Sequence, residues 1–225
     1  MDVYVEIAKK RAIACAVDWP GWCRSGRDEG AALEALLAYG PRYAAALKGT
    51  GLAFEPPRDL SEFRVVERLK GNATTDYGVP GLTSSADARP VGDDELARLA
   101  GLLQVCWRAF DAARNAAVGR ELRKGPRGGG RELDKIVDHV LGAEGGYLAQ
   151  LGWKPSKEEA ADQEVEPQRT RAAVLEALPA AARGELPTVG PRGGKRWTPR
   201  YFVRRAGWHI LDHLWEIEDR VEGAG

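Results

Sequence analysis

The apolar residues of this 225-residue chain change their spacing part-way along, and that change limits the folds open to it. Val3, Val5 and Ile7 alternate with other residues, and Ala12–Val17 is a short, mostly apolar run. Both patterns suit strands. Beyond residue 93 the period is helical instead. Leu96, Leu99, Leu103, Trp107 and Phe110 make one stripe, which predicts an amphipathic helix over roughly 94–117. Residues 71–93, between the two regimes, are full of Gly, Pro, Ser, Thr and Asp and read as a linker. The expectation is an α+β protein in two domains. A small α/β sheet module over 1–75 is followed by a linker over 76–92 and an up-down four-helix bundle over 93–225.

Asp18-Trp19-Pro20-Gly21 is a turn, and residues 28–47 are rich in Ala, Leu and Glu. Leu33, Leu36 and Leu37, then Ala44 and Leu47, hold helical spacing. Tyr39-Gly40-Pro41-Arg42-Tyr43 is expected to break or kink that helix, because proline removes a backbone donor. Phe63–Leu69 is a further candidate strand. Helices are also expected at about 131–151, 168–183 and 198–221, the last with Thr198 as N-cap and Pro199 in its first turn.

Lys plus Arg and Asp plus Glu each total 33, so the formal net charge is zero. No overall field draws the chain to nucleic acid or to an anionic membrane. No apolar run approaches the roughly 18 residues of a membrane span, and the first residues lack the regions of a signal peptide. Cys15, Cys23 and Cys106 are odd in number and scattered, with no CxxC, which points to reduced thiols in a cytoplasmic protein. Cys106 reads as a small buried hydrophobe, and Trp208 and Trp215 as bundle packing.

The chain has three histidines, His139, His209 and His213. The last two stand four residues apart in Trp208-His209-Ile210-Leu211-Asp212-His213, one turn apart on one helical face, the spacing at which two imidazoles share a metal ion. His139 lies mid-helix in Val137-Asp138-His139-Val140-Leu141 and supplies a third nitrogen from a facing helix. Three histidines leave coordination positions open for water or substrate. Gly142, Ala143 and Gly146 follow His139 on its own face, which is carved back rather than filled, either to leave a cavity or to let two helices approach closely. Glu216 is placed to partner His213 or to accept a proton, and is the candidate catalytic carboxylate.

Gly125-Pro126-Arg127-Gly128-Gly129 recurs as Gly190-Pro191-Arg192-Gly193-Gly194, each time before a long helix. These are either plain surface loops or a means by which Arg127 and Arg192 gather an anionic ligand. Arg205, one turn before His209, is a third candidate contact for an anionic substrate.

Arg131–Glu144, followed by Arg204-Arg205-Ala206-Gly207-Trp208-His209-Ile210-Leu211-Asp212-His213, resembles the DinB-like (DinB/YfiT) superfamily over roughly 93–225. The resemblance implies a four-helix bundle with a divalent metal on His139, His209 and His213. It also implies the chemistry of thiol-dependent transferases or metal-dependent hydrolases. Val17-Asp18-Trp19-Pro20-Gly21-Trp22-Cys23-Arg24-Ser25-Gly26, with Glu29, Ala31 and Ala32 opening a helix, is similar to the HicB-type antitoxin module over about 1–70. That likeness implies a small sheet with a helix across it.

The leading expectation is a metal-dependent enzyme that moves a thiol or water onto a small electrophile. Zinc is the first choice of metal, with nickel or iron as alternatives, and a low-molecular-weight thiol is a co-substrate. The competing expectation is a non-enzymatic protein with a structural metal, whose HicB-like module binds a partner. An exposed sheet edge is expected to make the chain a homodimer.

Overall fold

The computed structural model of the protein describes residues 1–124, 130–154 and 167–221. The alternation at its start becomes a four-stranded sheet. β1 (Asp2–Ile7) pairs antiparallel with β2 (Ala12–Ala16), Val3 opposite Ala16 and Val5 opposite Ala14. β3 (Cys23–Gly26) runs antiparallel beside β2, and β4 (Arg64–Lys70) lies parallel to β1, so the order is β3-β2-β1-β4. The mixed α/β architecture expected from the change of period is present: a sheet first, helices after it.

β2 is buried on both faces, which explains its unbroken apolar run. Ala12, Ala14 and Ala16 join Val3 and Val5 in the cluster that holds α1 (Glu29–Leu47) against the sheet. Ile13 and Cys15 join Tyr4, Ala86 and Trp208 on the opposite face. α1 begins at Asp28, whose side chain accepts from the Ala31 N–H, and it runs unbroken through Gly40 and Pro41. The expected break is therefore absent. Leu36, Gly40, Tyr43 and Leu47 form a buried stripe on both sides of the proline, and tertiary packing of that stripe outweighs the roughly 3 kcal/mol of an interior proline. Gly40 is needed for it, because a Cβ there would lie 3.0 Å from Pro56.

The segment that composition marks as a linker is pinned to the sheet. α2 (Ala73–Asp76) is a single turn in which Asn72 and Thr75 cap each other. Thr75, Gly81 and Leu82 all donate to the carboxylate of Glu6, which is fully buried and held above its ordinary pKa by that burial. A short 3-10 turn over Ser85–Ala88 then delivers Asp87 to the interior.

Among the described residues four long helices follow: α3 (Asp93–Ala117), α4 (Leu133–Gln150), α5 (Pro167–Ala182) and α6 (Pro199–Arg220). Among the described residues, no helix is long and apolar enough to cross a membrane. α6 is buried on nearly every side between Tyr201 and Ile217, because α3, α4, α5 and the sheet module all lean on it. Thr198 caps it through the Tyr201 N–H, with Pro199 first in the helix. Sheet module and α6 meet backbone to backbone at Gly21 and Gly207. Gly21 sits at φ +94°, and a Cβ on it would come 3.1 Å from the Gly207 carbonyl carbon. Beside that contact, Arg204 donates to Asp87 and to the carbonyls of Ala16 and Val17. One buried cluster accordingly runs from Val3 and Trp22 through Leu103 and Phe110 to Trp215.

Charge is also buried inside the bundle. Glu144 of α4 is 4% exposed, and neither of its oxygens has a hydrogen-bond partner. Arg171 of α5 brings its Nε to 3.6 Å, but spends its terminal nitrogens on Asp111 at 2.6 and 3.2 Å. Burial pushes the Glu144 carboxyl up to about 7, with Arg171 pulling the other way. Between the ordinary value of 4.5 and 7, the folded chain holds a proton that the unfolded chain releases. Stability therefore falls as pH rises through that window, and the loss is complete above it. Glu144→Gln removes the dependence. Its stability relative to wild type should improve by about 3 kcal/mol between pH 4 and pH 8. Urea midpoints at the two pH values check this; parallel pH profiles in the two proteins would contradict it.

Candidate metal centre

α3 packs along α6, the turn over Ser85–Ala88 and the Gly21–Gly207 contact fix its other side, and α4 lies along it. That arrangement brings His139 of α4 to His209 and His213 of α6. One ring nitrogen from each lies within 4.8 Å of the others. The Nε2 atoms of His139 and His209 are 3.1 Å apart, and the three ring centroids are separated by 4.7 to 4.9 Å. Nitrogens at 2.0–2.1 Å from a tetrahedral zinc stand roughly 3.3 Å from each other; the His139–His209 pair is at that spacing, and the 4.8 Å span of the set leaves His213 to close in on an ion. Two Nε2 atoms in contact either share one proton or direct both lone pairs at a common cation. His209 and His213 are buried, and His139 is the most open of the three.

The electrostatics fit a metal as well. Burial, reinforced by His213 and Arg205, holds the His209 imidazole down at about 2. Burial and then Arg131 also hold His139 below its ordinary value. Neutral rings are what a metal requires of its ligands. His213 is oriented from behind: its Nδ1 is 2.7 Å from Glu216 Oε2, which leaves Nε2 for the centre. Glu216 Oε1 accepts from Arg220 at 2.7 Å, and Arg220 Nε donates to the Arg123 carbonyl at 2.9 Å. The hydrogen bond from His213 keeps Glu216 below the usual carboxylate range. Carboxylate, histidine and centre thus stand in the order that fixes tautomer and ring angle in metalloproteins. Among the described residues, no fourth His, Cys, Asp or Glu joins the three.

Around the histidines the chain is open on one side and aromatic on another. Gly142 and Gly146 are exposed, and a Cβ built on either meets nothing within 4 Å, so the His139 face is carved back as its small residues imply. The Tyr147 ring stands 5.6 Å from that of His209 and tilts against Trp197 at 5.1 Å. Arg205 places its guanidinium carbon 5.2 Å from the Tyr147 ring centre and 4.6 Å from that of Trp208. Its NH1 is buried with no hydrogen-bond partner.

Of the three arginines read from sequence as anion contacts, only Arg205 is shown beside the histidines. Arg192 is exposed in the turn closed by the Val189–Lys195 bridge, and Arg127 lies outside the described residues. Arg131 and Tyr147 were missed; Tyr147 stands two turns and a little beyond His139 on α4, and Arg131 lies just before the helix starts, where no helical spacing marks it. Arg220 was missed too, although it follows Glu216 by four. Cys106 is buried, with its thiol pushed up to about 12, and Trp215 packs edge-on against Tyr39. Comparison with protein-family models, curated proteins and solved structures gave no match.

Proposed function

We propose that the chain is a divalent-metal-dependent enzyme that joins a thiol, or water, to a small electrophile. The observation that carries this reading is the convergence of His139, His209 and His213 with no fourth protein ligand among the described residues. Structural zinc sites are closed by a fourth protein ligand, whereas catalytic ones keep a position open. An all-nitrogen set suits zinc, with nickel or iron as alternatives. The likeness of the histidine segments to the DinB-like superfamily supports the same reading.

A divalent ion held by His139, His209 and His213 would supply Lewis acidity, lowering the pKa of a thiol or water towards neutrality. Everything else falls to the chain. His139, His209 and His213 hold their nitrogens in place, and Glu216, itself held by Arg220, keeps the His213 ring turned inward. The nucleophile comes from outside: all three cysteines are buried, and the Cys106 thiol stays protonated at working pH. The incoming sulfur or oxygen forms the new bond to the electrophilic carbon. Its proton passes to solvent through the open side at Gly142 and Gly146, and the leaving group departs with the old bonding pair.

The test is turnover. Protein loaded with zinc, nickel or iron is screened against low-molecular-weight thiols and small electrophiles, beside His139→Ala. Turnover should need the metal and vanish in the variant. The melting temperature of the variant's metal-free form should stay near that of metal-free wild type, because His139 is the most open ligand. Turnover that survives in His139→Ala, or in metal-free wild type, would overturn the reading.

A further inference from the structure

Of the candidate anion contacts, Arg205 is the one shown beside the histidines; the metal reading leaves it no task, and its surroundings give it one. It stands one turn before His209 on α6, a rise of roughly 6 Å. Its guanidinium lies over the rings of both Tyr147 and Trp208. A planar cation held by aromatic faces keeps its N–H edges free for a ligand. Among the described residues its NH1 has no acceptor, and the side chain as a whole is partly exposed. Leaving a buried donor unsatisfied costs roughly 1–3 kcal/mol. Exposed arginines elsewhere find carboxylates on the chain itself, as Arg64 does with Asp2 and Arg68 with Glu29. Its neighbour in sequence, Arg204, is saturated by Asp87, Ala16 and Val17. Arg24 is also stacked and keeps an unpaired Nε, but its NH1 is spent on Asp212; Arg205 has no carboxylate partner shown and stands beside His209.

We infer that Arg205 is the specificity residue of the site, and that the substrate is a small electrophile carrying a carboxylate. This rests on the enzyme reading given above. One guanidinium matches the single charge and planar fork of a carboxylate. The one-turn offset from His209 places that carboxylate a few bonds from the reacting carbon. The Tyr147 and Trp197 rings, 5.1 Å apart beside it, offer an apolar wall for the body of the molecule.

Benzoate is the probe, and benzamide is its neutral counterpart of the same shape. Calorimetric titration of metal-free protein should show benzoate binding roughly 10- to 100-fold tighter than benzamide, the difference that a charge-assisted hydrogen bond makes. Arg205→Gln should erase that difference while its zinc stoichiometry matches wild type. Equal binding of the two probes by wild type, or unchanged benzoate binding by Arg205→Gln, would overturn the inference. Loss of zinc from Arg205→Gln would overturn it as well, by making Arg205 a support of the histidines. If wild type takes up no zinc, the enzyme reading falls, and the probe comparison on metal-free protein still reports on Arg205.

Discussion

Replacing Asp87 with alanine should lower the free energy of unfolding by about 3–5 kcal/mol, the range found when one partner of a buried ion pair is removed. Arg204 is 3% exposed and Asp87 1%. Two guanidinium nitrogens meet Asp87 Oδ1 at 2.8 and 3.0 Å, and NH1 reaches the Ala16 carbonyl at 2.6 Å. Without the carboxylate a full positive charge stays inside the protein with only backbone carbonyls to answer it. The cost should fall where the sheet module meets the bundle, because Asp87 belongs to the covering segment, Ala16 and Val17 to the end of β2, and Arg204 to α6. Asp87→Ala combined with Arg204→Met should be less destabilised than Asp87→Ala alone, since the second change removes the stranded charge. Urea denaturation of the two variants measures both effects. A loss under about 1 kcal/mol for Asp87→Ala, the scale of an exposed pair, would contradict the burial of this one.

The second large effect belongs to the histidines. A ligand that binds only the folded state adds about 4 kcal/mol when present at a thousandfold excess over its Kd. Zinc should therefore raise the melting temperature of wild type in a concentration-dependent way. Neither His209→Ala nor His213→Ala should respond, because two remaining nitrogens hold the ion far less well than three. The metal-free proteins should follow a different order. His209 is buried and uncharged at all ordinary pH, held at about 2 by its surroundings, so its loss leaves a cavity; losing the more open His139 leaves little. A zinc-dependent rise of the same size in His209→Ala would place the metal elsewhere.

Much of this architecture was readable from residue spacing, and the exceptions have physical causes. The stripe from Leu96 to Phe110 became α3 with its start displaced by one residue from the expected 94, at Asp93. Thr198-Pro199 marked the start of α6. β1 followed the period of two and β2 the unbroken apolar run, whereas the residues of β3, Cys-Arg-Ser-Gly, show no alternation, and only the expected HicB-type strand–turn–strand passage put a strand there. Pro41 was misleading because the stripe that carries α1 across it shows its strength only when packed on the sheet. The covering role of residues 73–88 was hidden for another reason. Glu6 meets Thr75, Gly81 and Leu82 across some seventy residues of chain, and Asp87 meets Arg204 across 117. No local pattern records such pairs. The histidines were legible because the chain has only three and two share one helical face. The stacking of Arg205 on Tyr147 depends on how α4 lies on α6, which spacing along one helix cannot encode.

The most direct test of the account is metal content, by elemental mass spectrometry, of untagged protein purified without chelator, beside His209→Ala. The account predicts close to one divalent ion per chain in wild type, zinc first, and almost none in the variant. Wild type that carries no metal and takes none up on dialysis, or a variant that keeps it, would contradict the central claim that these three imidazoles form a metal centre.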